Sequence, residues 1–175
     1  PRESGGHQDI KHLTAGSRVF YPVFVPGAKL SFGDLHFSQG DGEITFCGAI
    51  EMGGYMDLHV DIMKGGMAKH GVHENDVFMP GNRDPQYSEW LAFSGVSVDS
   101  KGRQHYLDSG LAYANACNHA IDYLMKFGYT DIQAYMILGP APVEGRLSGV
   151  VDIPNACSTI YIPRAIFDFD IRSSA

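Results

Sequence analysis

The chain has 175 residues, of which 44% are hydrophobic and 19% are charged, and its net charge at neutral pH is −7. This balance is typical of a compact globular protein and excludes a disordered or coiled-coil chain. The length suffices to bury one core, so we predict a single domain over residues 1–175. The 13 Lys and Arg residues are scattered, which argues against a nucleic-acid partner. No apolar run approaches the roughly 18 residues of a membrane span, so no membrane partner is expected.

The cysteines are too few and too irregularly spaced to form a framework. Cys47, Cys117 and Cys157 are odd in number and lack C-x-x-C spacing, so neither a disulfide network nor a cysteine-zinc site is predicted. A reducing, cytoplasmic location is the expectation, with no signal peptide. Pro1 is not a natural initiator, and we therefore expect the sequence to be part of a longer protein.

The first third of the chain carries strand patterns. Residues 19–25 place apolar side chains on both faces, as in a strand inside a sandwich, and residues 29–32 form a second short run. Residues 43–52 and 57–62 alternate apolar with polar side chains, which is typical of half-buried strands, and two glycines between them suggest a hairpin-type connection. Shorter strand candidates follow at 77–79, 89–93 and 96–98.

Two helices are predicted before the chain returns to strands. Apolar side chains recur at helical spacing over residues 113–127, and a capping box begins a second, short helix that ends at Gly139. The capping residues are Asp108 or Ser109 and Gly128 for the first helix, and Thr130 with Gln133 for the second. Strands are predicted again at 149–152, 158–163 and 165–170. The sequence therefore predicts a mainly β protein with inserted helices, α+β overall.

One segment carries more acceptors than folding requires. Residues 33–43 read GDLHFSQGDGE and hold Asp34, His36, Gln39, Asp41 and Glu43 with no basic residue among them. Carboxylates this close repel one another unless something positive lies between them. Carboxylate oxygen and imidazole nitrogen are ligands of divalent metals in proteins. The segment therefore predicts a cation site.

Other interpretations of the polar residues stay open at this point. A solvated turn also favours Asp and Gly, and a calcium loop is weaker because the EF-hand pattern is not matched. The segment GGHQD adds Asp9, and less securely His7, as candidate ligands. Asp57, His59 and Asp61 form a period-two row that is more typical of a half-exposed strand. None of the cysteines has the spacing of an activated nucleophile, and Cys117 falls on the apolar stripe of the first helix.

Together, GGHQD, GDLHFSQGDGE and the following GAIE resemble the acetamidase/formamidase family, in its formamidase branch. The segments PGNRDPQYSEWLAFSG and LSGVVDIPNACSTIYIP are similar to the same family, so the resemblance covers essentially the whole chain. It implies hydrolysis of formamide or short aliphatic amides to the carboxylate and ammonia. It also implies a jelly-roll-like β-sandwich, a divalent metal that is usually zinc, and a homo-oligomer. Family members are longer, so this chain would correspond to their C-terminal part and contact its own missing N-terminal segment.

The resemblance also carries functional residues onto this chain: Asp9, Asp34, His36, Gln39, Asp41, Glu43 and Glu51. We hypothesise that Asp9, His36 and Asp41 bind the metal and that Asp34 supports His36. Glu51 or Glu43 is the predicted acid/base. The two glutamates are eight residues apart, about 26 Å along an extended strand, so both cannot touch one substrate without a bulge or twist.

Two further residues are predicted to bind the substrate. These are Gln39 and Phe37. Phe37 departs from the commoner HAxQGDGE motif, and its side chain should narrow a pocket or exclude water from it if it faces inward. The alternatives to an amide hydrolase are a non-enzymatic metal-binding β-sandwich module, or an inactive fragment that needs its missing N-terminal half.

Overall fold

The computed structural model describes residues 1–172, which form small antiparallel sheets and a few helices. The elements in chain order are β1 (Arg18–Phe20), β2 (Leu35–Gln39), β3 (Ala49–Met52), α1 (Gly66–His70), β4 (Val77–Met79), β5 (Trp90–Val96), α2 (Ser109–Met125), α3 (Asp131–Leu138), β6 (Glu144–Gly149) and β7 (Cys157–Pro163). A short 3-10 helix, Arg164–Ile166, follows β7. Strands thus outnumber helices, which confirms a mainly strand-based α+β protein. None of the helices in these residues has the length and apolarity to cross a membrane.

The described chain divides into two compact units. The first unit consists of Pro1–His36 and Glu51–Pro85, and the second of Phe37–Ile50 and the chain from Gln86 onward. In the first unit, β1 pairs antiparallel with β4, and Val19 lies opposite Phe78. The pair β2 and β3 forms a separate two-stranded sheet. Sheets of two strands are marginal by themselves.

The second unit has the larger core, which lies between a three-stranded sheet and α2. Strand β7 is central and pairs antiparallel with β5 on one side and β6 on the other. Alternate residues of β7, including Ile160 and Ile162, are fully buried and pack with Leu124 of α2 and Leu138 of α3. Burial of such side chains contributes about 1.5–3 kcal/mol each, so this layer stabilises the unit.

Both predicted long helices are confirmed, because their end signals are local. The Asp108 carboxylate accepts a hydrogen bond from the Leu111 N–H at 2.9 Å and so caps α2. Thr130 and Gln133 form the predicted capping box of α3. Each cap satisfies N–H groups that have no partner inside the helix. The five-residue helix α1, in contrast, was not predicted.

Several predicted strands are wrong in extent. Only residues 19 and 20 of the first run form a strand, as the end of β1, and residues 29–32 and 57–62 lie in no strand. Of residues 43–52, only β3 is a strand, because the backbone at Glu43 and Phe46 has positive φ and the Phe46 N–H donates to the Glu43 carbonyl in a turn.

Towards the C-terminus, the two predicted strands 89–93 and 96–98 fall on a single strand and the residues that follow it. Strand β5 runs unbroken from Trp90 to Val96. The strand predicted at 149–152 lies earlier, as β6. Residues 165–170 form no strand, because the Phe167 N–H closes a 3-10 turn on the Arg164 carbonyl. The predicted strands at 77–79 and 158–163 are confirmed as β4 and β7.

Candidate metal centre

Three of the predicted site residues meet in the first unit. Asp9, Asp34 and His36 each offer one ligand atom, and these atoms lie within 4.8 Å of one another. The His36 Nε2 atom is 3.2 Å from the Asp34 Oδ1 atom. The His36 side chain is only 12% exposed, whereas that of Asp34 is 62% exposed. Within residues 1–172, no other group of three His, Cys, Asp or Glu side chains meets this distance.

Two residues of the trio have an unusual local backbone. Asp9 and Asp34 have φ angles of 46° and 58°, in the left-handed region. Asp adopts that region more readily than most residues. His36 follows immediately in β2, where the backbone is regular. Unusual φ angles at residues that share a cluster are more common at functional sites than elsewhere.

The donor set of this trio suits a divalent cation. It combines two carboxylates with one imidazole, which are oxygen and nitrogen ligands that Zn²⁺ accepts. Catalytic zinc sites use three protein ligands and keep a further position for water or substrate. The partly exposed carboxylates and the nearly buried imidazole would place such a cation at the edge of the unit, within reach of solvent.

A cleft of about 540 Å³ opens beside this trio in the first unit. Asp34 and Glu51 both line it, and the rest of its wall is glycine and apolar. The apolar side chains of the wall are Phe32, Leu35, Met52 and Met56. Glu51, one of the two predicted acid/base residues, is therefore on the same cleft as a candidate ligand. The apolar lining was missed from the sequence, because Phe32 and the two methionines carry no motif.

The second half of the acidic segment lies in the second unit, where it is tied to backbone. The Asp41 Oδ2 atom accepts a hydrogen bond from the Gly145 N–H at 2.9 Å. The Asp41 carbonyl accepts one from the Tyr113 hydroxyl at 2.6 Å. Gln39, at the end of β2, is buried with 7% of its surface exposed. Asp41, one of the three residues predicted to bind the metal directly, thus also anchors its own turn.

The remaining predicted site residues, Phe37 and Glu43, belong to the second unit. Phe37 is 75% exposed in β2, and Glu43 is half-buried in the turn before β3. In the first unit, Asp57, His59 and Asp61 are exposed, as the interpretation of a simple polar row requires.

The cysteines differ in their surroundings. Cys117 is buried in the core of the second unit, and burial raises the pKa of its thiol to about 11, so it is a poor nucleophile. Cys47 is exposed and Cys157 is partly buried, and none of the three forms a disulfide. The prediction of Cys117 as a core residue is confirmed.

Tyr113 is a site-supporting residue that sequence reasoning missed. The pattern gave it only as part of the apolar stripe of α2, yet its ring packs closely against two glycines. A Cβ atom at Gly42 or at Gly145 would lie 2.8 Å from the ring, and Gly42 has a φ of 87°. Burial raises the pKa of the Tyr113 hydroxyl well above its usual range. The hydrogen bond from the Tyr113 hydroxyl to the Asp41 carbonyl joins residues 72 apart, so no local signal could have revealed it.

Comparisons with known proteins agree along the chain. A family model described as the Acetamidase/Formamidase family matches residues 1–169. A formamidase of Methylophilus methylotrophus is 59% identical over 175 residues, which are 100% of this chain and 43% of that protein. An acetamidase of Mycolicibacterium smegmatis is 64% identical over 146 residues, 83% of this chain and 36% of that protein.

A solved structure matches equally well. The structure of a γ-lactamase from Delftia acidovorans superposes with a TM-score of 0.97 at 61% identity, covering 100% of this chain and 43% of that one. The chain therefore spans less than half the length of the relatives it matches. Because the family model extends over almost every residue, the chain belongs to the Acetamidase/Formamidase family.

Proposed function

We propose that this chain is part of a metal-dependent hydrolase that converts formamide or short aliphatic amides to the carboxylate and ammonia. Relatives named formamidase and acetamidase, at 59% and 64% identity, support the reaction class. The γ-lactamase supports it too, since a γ-lactam is a cyclic amide and the bond to be broken is the same. The apolar wall beside Asp34 suits a small acyl group.

The observation that carries the proposal is the trio of Asp9, Asp34 and His36, whose ligand atoms lie within 4.8 Å of one another. We propose that these residues bind zinc, and Asp41 remains a predicted further ligand. When bound, the cation would polarise an amide carbonyl and lower the pKa of a water molecule. The His36 Nε2 and Asp34 Oδ1 atoms are 3.2 Å apart, close enough for both to reach one cation.

Glu51 is the proposed acid/base. Its position on the cleft that Asp34 also lines supports this role over Glu43, which lies in a turn of the second unit. Hydrolysis of an amide requires that a proton leave the attacking water and reach the departing nitrogen, and one carboxylate can serve both steps. Gln39 and Phe37 remain the predicted substrate contacts.

Four broader properties are proposed here for the whole protein. The small sheets would be parts of a jelly-roll-like sandwich, which a longer chain completes by contact with a preceding segment. The single-domain organisation, the homo-oligomer and the cytoplasmic location also remain predictions. Relatives of more than twice this length support the first of these.

Ammonia release from formamide and acetamide tests the function directly. We expect turnover with zinc, loss of turnover after exhaustive chelation, and recovery when zinc returns. His36→Ala should lose both zinc retention and ammonia release, whereas His59→Ala, an exposed histidine of the same unit, should keep both. Turnover that survives chelation would instead favour a nucleophile such as Cys47 or Cys157. Stoichiometric zinc without any ammonia would favour a metal-binding module or a fragment that needs its missing half.

A further inference from the structure

A run of exposed apolar side chains follows β3 in the first unit. In residues 55–62, called the unpaired run here, Leu58 is 48% exposed, Val60 63% and Ile62 66%. Tyr55 at its start is completely exposed. The three aliphatic residues alternate with Asp57, His59 and Asp61, which is the period-two pattern of a strand with one buried and one polar face.

The backbone of the unpaired run has almost no partners in the described part of the chain. Its one hydrogen bond is from the Ile62 N–H to the Asp61 Oδ1 atom beside it, at 2.7 Å. The run also belongs to no strand. Unpaired N–H and C=O groups beside an apolar row are a template for the addition of another strand.

The length of the matched proteins indicates what covers this run. The superposition with the γ-lactamase of known structure covers all of this chain but only 43% of the γ-lactamase chain. The formamidase of Methylophilus methylotrophus is likewise matched over 43%. More than half of each family-length chain therefore lies outside the region represented here. No strand within residues 1–172 pairs with the run.

We propose that the unpaired run binds a strand from the part of a family-length chain outside the matched region. The partner strand would present aliphatic side chains to Leu58, Val60 and Ile62. On its other face, basic or hydroxyl side chains would oppose Asp57 and Asp61, because these carboxylates would repel an acidic partner. This inference rests on the proposed contact with a further segment and is independent of the metal and the reaction.

Hydrogen exchange on a reconstituted pair tests the proposal. The probe is the unmatched part of the Delftia acidovorans γ-lactamase, co-expressed as a separate polypeptide with the 175-residue chain. We expect a one-to-one complex in which the amides of residues 55–62 exchange at least about tenfold more slowly than in the chain alone. That factor corresponds to roughly one hydrogen bond's net stabilisation.

Two variants of Val60 separate backbone pairing from the apolar contact. Val60→Pro removes an N–H from the run and Val60→Lys keeps it but charges the apolar row, and each should weaken the complex at least about tenfold. Val151→Pro is the matched control, because Val151 is 76% exposed in the second unit and outside any strand. It should leave the complex unchanged. Unaltered exchange within α2 verifies that each variant is folded.

Three results would overturn the proposal. Protection of residues 55–62 in the chain alone, rising with concentration and with dimer mass, would assign the run to a second copy. A complex in which these amides stay unprotected would place the contact elsewhere, and failure to form any complex would remove the partner. None of these readouts involves zinc or ammonia, so they leave the proposed hydrolase to its own test.

Discussion

Replacing Asp34 by Asn should change the stability of the first unit in opposite directions with and without metal. The Asn side chain keeps an oxygen that can lie near His36, and Asn tolerates the left-handed backbone at this position, where φ is 58°. What it removes is one of two negative charges in the trio. The substitution therefore isolates the electrostatic part of the site.

The size of the effect follows from the spacing of the ligand atoms. The Asp9 and Asp34 oxygens are at most 4.8 Å apart, a separation at which two unit charges repel by about 0.9 kcal/mol in water and about 3.5 kcal/mol at an effective dielectric of 20. Both residues are exposed, so the lower figure applies. Without metal, Asp34→Asn should stabilise the protein by about 0.9 kcal/mol.

With zinc present the sign reverses. Zinc at 100 times its dissociation constant stabilises a folded protein by about 2.7 kcal/mol, and a tenfold weaker site retains about 1.4 kcal/mol of this at the same concentration. Removal of even an indirect contact to a metal ligand costs about 10- to 100-fold in affinity. The variant should therefore lose at least about 1.3 kcal/mol of the zinc-dependent stabilisation.

Urea unfolding near pH 8, with chelator and with buffered zinc, measures both quantities. Asp57→Asn is the matched control, since Asp57 is an exposed carboxylate of the same unit outside the trio. It should be neutral in both conditions. If Asp34→Asn destabilises the chelated protein and binds zinc as tightly as the wild type, the trio is not a cation site.

Three further predictions concern the second unit. Gly40→Ala should destabilise by about 1–3 kcal/mol in denaturant unfolding, because the new Cβ would lie 2.6 Å from the Val143 Cγ2 atom and 2.7 Å from the Ala141 carbonyl; Gly53→Ala, with no atom within 4 Å, is the control. Burial raises the pKa of the Cys117 thiol from 9.0 to about 11, so the neutral thiol's stabilisation is complete below pH 9 and is lost as the pH rises towards 11. Unfolding free energies across that window should fall less steeply in Cys117→Ala, and an equal slope would contradict this. Maleimide should label Cys47 before Cys117 in the native protein.

What the sequence predicts well is what its local chemistry determines. The caps of α2 and α3 lie within three residues of the groups they satisfy, as with Asp108 and the Leu111 N–H. The site follows the same rule for Asp34 and His36, which are two residues apart in one motif. Asp9 is a weaker candidate, because its segment alone is an ordinary glycine-rich loop and only the neighbouring acidic segment and the family resemblance favour it.

What the sequence predicts poorly depends on partners that are distant or outside the chain. Residues 57–62 alternate as cleanly as any strand in the protein, yet a strand exists only where a neighbour supplies hydrogen bonds. The strand predicted over 43–52 is wrong in its first part because Gly40 and Asp41 are bound to Gly139 and Val143. These contacts bend the chain into a turn, and nothing in the alternation of residues 43–48 indicates them.

The acidic segment illustrates why residue type alone does not assign a role. Its first carboxylate, Asp34, lies beside an imidazole and a cleft, whereas Asp41 accepts the Gly145 N–H. A carboxylate that accepts a backbone N–H satisfies a group that would otherwise cost about 1–3 kcal/mol when buried. If Asp41→Asn loses zinc, the hydrogen bond from the Gly145 N–H must be shown to persist in the variant. Only then does the loss identify Asp41 as a ligand. Two carboxylates seven residues apart thus have different roles. Asp34 is a proposed cation ligand, and Asp41 accepts a hydrogen bond that fixes a turn.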